Sequence, residues 1–176
     1  MADTVLTVQQ IEDIFQTWTS QALGVTDPGA VRIGWPMDGA PAWHITDDVC
    51  FVLVTYVDNP ITRQIERSYS PLDPDNANMA HSYIDSVRVS WTLYGPNAFE
   101  RADIIRAALF QPSTTDTLAA NNLGLVTDVP MPIRVPELFN GQWWSRATLY
   151  ADFNQLVIRQ TSVPYITGSD VRIVEG

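Results

Sequence analysis

The sequence predicts an α/β fold of the α+β kind, in which one mainly antiparallel sheet with long strands is flanked by two or three helices. Three observations carry this. Apolar residues recur at helical spacing near the N-terminus and again after residue 97; residues 83–94 and 143–153 alternate between two faces for longer than most strands; and residues 49–57 are apolar on both faces. A 176-residue chain that is 45% hydrophobic and 17% charged has the length and composition to bury a real core as one domain spanning 1–176.

Residues 7–22 read as an amphipathic helix, with Val8, Ile11, Ile14, Phe15, Trp18 and Ala22 on one face. Thr7 and Gln10 form a capping-box pattern, and Gly24 supplies a C-terminal stop. Val31, Ile33 and Trp35 then alternate as a strand, followed by a Pro/Gly/Asp loop over 36–41. Residues 49–57 read as a central strand, Asp58-Asn59-Pro60 as a turn, and 63–69 as a more exposed returning strand. Residues 71–80, with two prolines and four Asp or Asn residues, read as a loop.

The long strand 83–94 sets Tyr83, Asp85, Val87, Val89, Trp91 and Leu93 on one face. It ends at Gly95-Pro96, where a positive φ at Gly95 would make a β-branched substitution costly. Asn97 and Glu100 are placed to cap a helix over 98–110 whose buried stripe is Phe99, Ala102, Ile105 and Leu109. A short helical piece at 114–122 follows, then a stretch punctuated by Pro130, Pro132 and Pro136 that is barred from a central strand. Asn140-Gly141 signals a tight turn. In the strand 143–153 the alternation puts Trp143, Ser145, Ala147, Leu149, Ala151 and Phe153 opposite Trp144, Arg146, Thr148, Tyr150 and Asp152. Val157-Ile158 and 171–174 add short strand pieces.

Charge narrows the function. The twenty acids face ten cations, all arginine, for a net charge of −10. Such a surface repels phosphate, which argues against a sequence-reading nucleic-acid binder or a partner of anionic membranes. No run of 18 apolar residues and no signal-peptide pattern is present, which points to a soluble chain made in the cytoplasm. The lone Cys50, set in an apolar run, reads as a buried free thiol and excludes an intrachain disulfide.

Candidate chemistry is thin. His44 with Asp47 and Asp48 has the residue types of an acid–base pair or metal site, but no second ligand cluster or nucleophile accompanies it, and a turn before a strand is the plainer reading. The run 73–78 superficially resembles a calcium loop, yet Asn78 stands where glycine is required and Ile84 where the bidentate Glu should be. No catalytic residue, cofactor or metal is therefore expected. Six tryptophans, at 18, 35, 43, 91, 143 and 144, exceed what the core needs, and Trp143 and Trp144 fit subunit contacts as well as they fit the core.

The stretch Val87-Arg88-Val89-Ser90-Trp91-Thr92-Leu93-Tyr94-Gly95-Pro96-Asn97-Ala98 resembles the strand–YGPNA–helix signature of the phage neck terminator family, relatives of the tail-terminator proteins. The helix from Phe99 to Phe110, the proline-rich segment from Pro130 to Leu138, and Asn140-Gly141-Gln142-Trp143-Trp144-Ser145-Arg146 continue the likeness in order. It covers residues 83–166 well and residues 1–82 only as a pattern of helix then hairpin. The resemblance implies a tail-terminator-like virion protein: a homo-hexameric ring at the head-proximal end of the tail, assembled in the host cytoplasm. Such a ring stops polymerisation of the tail tube, meets the tube protein with or without a sheath, and joins the neck or connector protein. Genomic DNA passes through its lumen without specific binding. The competing readings are a head–tail connector or minor tail adaptor of different symmetry and, from another class, a small hydrolase built on His44.

Two segments poor in periodicity yet holding large apolar residues are expected at the ring interface. These are 71–80, with Leu72 and Met79, and 130–144, with Met131, Leu138, Phe139 and Trp143; Arg134 and Arg146 are placed to meet the acids of 71–80 across the joint.

Overall fold

The computed structural model of the chain describes residues 3–34 and 43–165. Its spine is a pair of antiparallel strands, β4 (Asn76–Tyr94) and β9 (Arg146–Pro164), each of 19 residues and paired along their whole length. At about 3.3 Å per residue the pair runs about 60 Å. On one side β2 (Val49–Tyr56) pairs with the upper half of β4, and β1 (Val31–Ile33) pairs with β2 in parallel; β3 (Glu66–Pro71) pairs with the lower half of β4. On the other side β5 (Leu123–Leu125) and β6 (Ile133–Arg134) border β9. A separate hairpin, β7 (Glu137–Phe139) and β8 (Gln142–Trp144), stands before β9.

Three helices cover one face of the upper half. Helix α1 (Val8–Leu23) has the expected capping box, with the Thr7 hydroxyl accepting from Gln10 N, and it ends at Gly24 in the left-handed region, φ 63°. It buries Ile11, Phe15 and Trp18 against Cys50, Val52, Val87, Val89, Trp91 and Phe153. Helix α2 (Ala98–Leu109) adds Ala98, Ala102, Ile105 and Leu109, and α3 (Pro112–Ala119) adds Leu118. The two indoles of this helix-covered core, Trp18 and Trp91, are satisfied across the layers: Trp91 Nε1 donates to Thr19 at 2.8 Å and Trp18 Nε1 to Thr114 at 3.1 Å. Phe99 is partly buried at the margin of this core rather than in its stripe.

The structure revises several local expectations. Residues 76–80 are strand, not loop; only the turn between β3 and β4 is irregular, because pairing with β3 and β9 supplies the ladder that local composition does not promise. Asn97 does not cap α2 with its side chain. Its φ of −104° and ψ of 21° lie outside the extended cap conformation, and its amide instead donates to Asp48 Oδ2 at 2.8 Å, while its backbone N–H donates to Asp48 Oδ1 at 3.0 Å. Ser145 belongs to neither β8 nor β9. That break reverses the expected parity, so Trp144 is buried and Trp143 faces out. The helical piece expected at 114–122 is α3, which starts and stops earlier. Val157 and Ile158 lie inside β9. Trp35, the loop 36–41 and the strand piece 171–174 fall outside the described residues.

Gly95 has the positive φ that its turn requires, 112°. A Cβ there would also stand 2.6 Å from the Asp47 carbonyl oxygen and 2.8 Å from Asp48 Cα, so the turn before β2 leaves no room for a side chain.

Candidate assembly surfaces

The hairpin β7–β8 turns at Asn140 and Gly141, with φ 48° and 76°, the signature of the two-residue turn that Asn-Gly favours. Its register sets Leu138 opposite Trp143 on one face and Glu137 opposite Trp144 on the other. The inner face is anchored. Trp144 lies in an aromatic cluster with Trp43, Phe51 and Tyr94, and Phe139 packs edge-on to it with centroids 6.3 Å apart. Tyr94 Oη donates to Glu137 Oε2 at 2.7 Å, and Arg146 Nη1 donates to the same oxygen at 3.1 Å. Burial, then the Glu137 hydrogen bond, pushes the Tyr94 phenol up to about 12.

Among the described residues the outer face has no such anchors. Leu138 and Trp143, directly opposed, are 58% and 67% exposed. Met131 and Ile133 are exposed in the preceding proline-rich stretch. Arg134 reaches across it, 4.5 Å from the Phe99 ring centroid and 3.8 Å from Glu100.

At the other end of the spine, the β3–β4 turn is held by Asp73. Its Oδ1 accepts from Asp75 N at 2.9 Å and from Asn76 N at 2.8 Å, and these bonds hold the carboxyl below the usual range. The carboxylate that sequence alone could offer to a cation is thus used to close a turn. Leu72 is exposed in this turn, and Met79 lies half-exposed on β4 between Tyr69 of β3 and Thr161 of β9. The two sets of interface residues read from the sequence therefore sit at opposite ends of the 60 Å spine. Arg134 and Arg146 already have partners within the subunit, Glu100 and Glu137.

The acid–base candidates His44, Asp47 and Asp48 sit in a hydrogen-bonded turn. His44 N donates to Asp47 Oδ2 and Asp47 N to the His44 carbonyl, both at 2.9 Å, which makes the turn before β2. Asp48, besides clamping Asn97, lies 3.6 Å from Arg101. The sequence places Asp48 in a turn before a strand but gives it no tertiary partner, because Asn97 and Arg101 lie some fifty positions away and leave no local signal. The Cys50 thiol is fully buried, and desolvation drives its ionisation far upward, against any nucleophilic role. Among the described residues no three His, Cys, Asp or Glu side chains gather to hold a metal, and no helix is long and apolar enough to cross a membrane.

The helix-backed sheet thus offers exposed apolar surface at both ends of its spine, and the carboxylates of Asp47, Asp48 and Asp73 are tied up in turns. The model of the phage neck terminator protein family matches residues 9–176, and the chain belongs to that family. The match extends the likeness seen around Tyr94-Gly95-Pro96-Asn97-Ala98 back through α1, where sequence reading offered only a pattern. No curated protein matches the chain significantly. Family membership gives a structural role in the neck or tail of a bacteriophage virion, among other neck and tail proteins.

Proposed function

We infer that this subunit assembles into a homo-hexameric ring at the head-proximal end of the tail, where it stops polymerisation of the tail tube and joins the tail to the neck. The observation that carries the reading is the outward-facing Leu138–Trp143 pair. Large apolar side chains directly opposed on a hairpin and open to water are a liability unless a partner covers them. A ring also needs two different patches on each subunit, since each copy presents one surface to the other surface of the next. The hairpin end, with Met131, Arg134, Leu138, Phe139, Trp143 and Arg146, and the end at the β3–β4 turn, with Leu72 and Met79, are two such patches. Six copies would multiply the net charge of −10, which suits a passage that DNA traverses without adhering.

Native mass spectrometry of the purified protein tests this: six-subunit particles support the ring. A twelve-subunit particle would favour a connector, and a monomer at every concentration a minor adaptor. Leu138→Ser combined with Trp143→Ser should give a folded monomer by circular dichroism and sizing. An intact ring in that variant would remove the hairpin from the interface. The charge reading has its own check, a gel shift with duplex DNA at physiological salt, where no retention is expected.

A further inference from the structure

Below the helix layer the spine continues as a three-stranded arm. Here β3, residues 76–84 of β4 and residues 156–164 of β9 lie side by side; only Ala77 and Val157 among them are buried, and none of them belongs to the main core. All six residues of β3 are exposed. Three strands with so little buried surface are poorly stabilised alone. The arm has two free edges, and they match in height. Ser68 is level with Gln160 through Ala80, Tyr69 with Thr161 through Met79, and Ser70 with Ser162 through Asn78.

Edge strands of soluble proteins are usually guarded by charges, prolines or bulges against pairing with another chain. On this arm the guards stand only at the limits of each edge. Along β3 the charged Glu66 and Arg67 mark one limit and Pro71 the other. Along β9, Asp3 Oδ1 accepts from Gln160 N at 2.9 Å and Thr4 bridges Ile158, while Pro164 ends the strand. Between these limits lie two uncharged windows, Ser68–Ser70 and Thr161–Val163, beside which no further strand is paired among the described residues.

We propose that the β3 edge of one copy pairs with the distal β9 edge of a second copy, so that neighbouring arms join into one continuous sheet. This rests on the ring reading above. The direction of pairing follows from topology: β3 is antiparallel to β4 and β4 to β9, so β3 and β9 run parallel. A rotation about an axis running with the arms preserves strand direction, and β9 of one copy meets the next copy's β3 in parallel. Each contact leaves a fresh edge on either side, as ring closure demands. A two-fold dimer would instead pair β3 with β3, or β9 with β9, in antiparallel fashion and stop there.

Disulfide trapping distinguishes these. Within one subunit β3 and β9 are two strands apart, about 10 Å, too far for a disulfide. Cys50 is buried and silent. Ser68→Cys or Ser70→Cys, each combined with Gln160→Cys or Ser162→Cys, should under oxidation give a ladder of covalent oligomers up to six in at least one combination. The single-cysteine variants should stay unlinked. Backbone amides of 66–70 and 161–163 should also exchange at least tenfold more slowly in the assembled protein than on dilution to monomer. A strong dimer band from Ser68→Cys alone would overturn the proposal in favour of two-fold pairing. Six-subunit particles that yield no ladder in any combination would overturn it while leaving the ring intact. A chain that never assembles would overturn both.

Discussion

The upper and lower halves of β4 and β9 form one unbroken ladder, yet they live in different surroundings. In the upper half the helix-side residues Val87, Val89, Trp91 and Leu93, with Ala147, Leu149, Ala151 and Phe153, are fully buried under α1 and α2. In the lower half the same face buries only Ala77 and Val157 and otherwise carries Met79, His81, Tyr83, Arg159, Thr161 and Val163, half-exposed or open. The boundary is polar. Asp85 faces Gln155, whose Nε2 donates to the Leu6 carbonyl, and burial pushes the Asp85 carboxyl upward against the opposing pull of Arg159. Strand pairing alone thus does not make a core; the upper half, the subunit's head, is stabilised by what the helices lay over the ladder, while the arm adds to its ladder only the small buried patch of Ala77 and Val157 and surface contacts such as Arg159 with Tyr83 and Asp3.

That contrast can be broken most forcefully in the head. Trp91→Ala removes the largest fully buried side chain and leaves the Thr19 hydroxyl without its donor, so urea unfolding should show a loss of about 3–5 kcal/mol. Gly95→Val forces a Cβ into the backbone of Asp47 and Asp48 at a φ that β-branched residues avoid; a loss of about 2–4 kcal/mol is expected, and an unchanged midpoint would mean that the two turns separate freely. In the arm, Tyr69→Ser should change monomer stability by no more than about 0.5 kcal/mol, since the residue is 62% exposed. A loss comparable to that of Trp91→Ala would show the arm to be part of the cooperative core.

The subtlest change is at the boundary. The Asp85 carboxyl holds its proton more tightly in the folded chain than in the unfolded one. Its contribution to stability is therefore complete at acid pH and lost as pH rises through the raised folded value. Asp85→Asn should raise the melting temperature slightly at neutral pH, with the gain vanishing toward acid pH. A fall at neutral pH would assign Asp85 a favourable ionised role instead.

How much of this was readable beforehand depended on where the determining partner lay. Helix α1, strand β2 and the Asn140-Gly141 turn are written in local periodicity and local turn chemistry, and they stand where the residues predicted. The strand character of 76–80 is conferred by β3 and β9, and nothing in an Asp- and Asn-rich stretch announces it. The fate of Asn97 was decided by Asp48, far away in sequence, and the facing of Trp143 by a single residue out of ladder at Ser145. Apolar residues on irregular backbone did mark Leu138, Phe139 and Trp143 as exposed, but composition could not tell that Phe139 packs edge-on to Trp144 while Leu138 and Trp143 face water. Nor could it tell that Leu72 lies at the far end of the spine from them.

The ladder between β4 and β9 also orders events in time. Its rungs grow steadily more distant in sequence, from Tyr94 with Arg146, the pair enclosing the shortest loop, to Asn76 with Pro164, enclosing the longest. Loop-closure entropy rises with each step, so pairing is cheapest to begin at the Tyr94 end, where α2 and the buried aromatics reward it at once. The strands then zip downward, and the arm is the last segment to form and the first to fray. A newly made subunit would thus complete its globular head before its two reactive edges exist, which shortens the time in which unfinished chains could pair with one another.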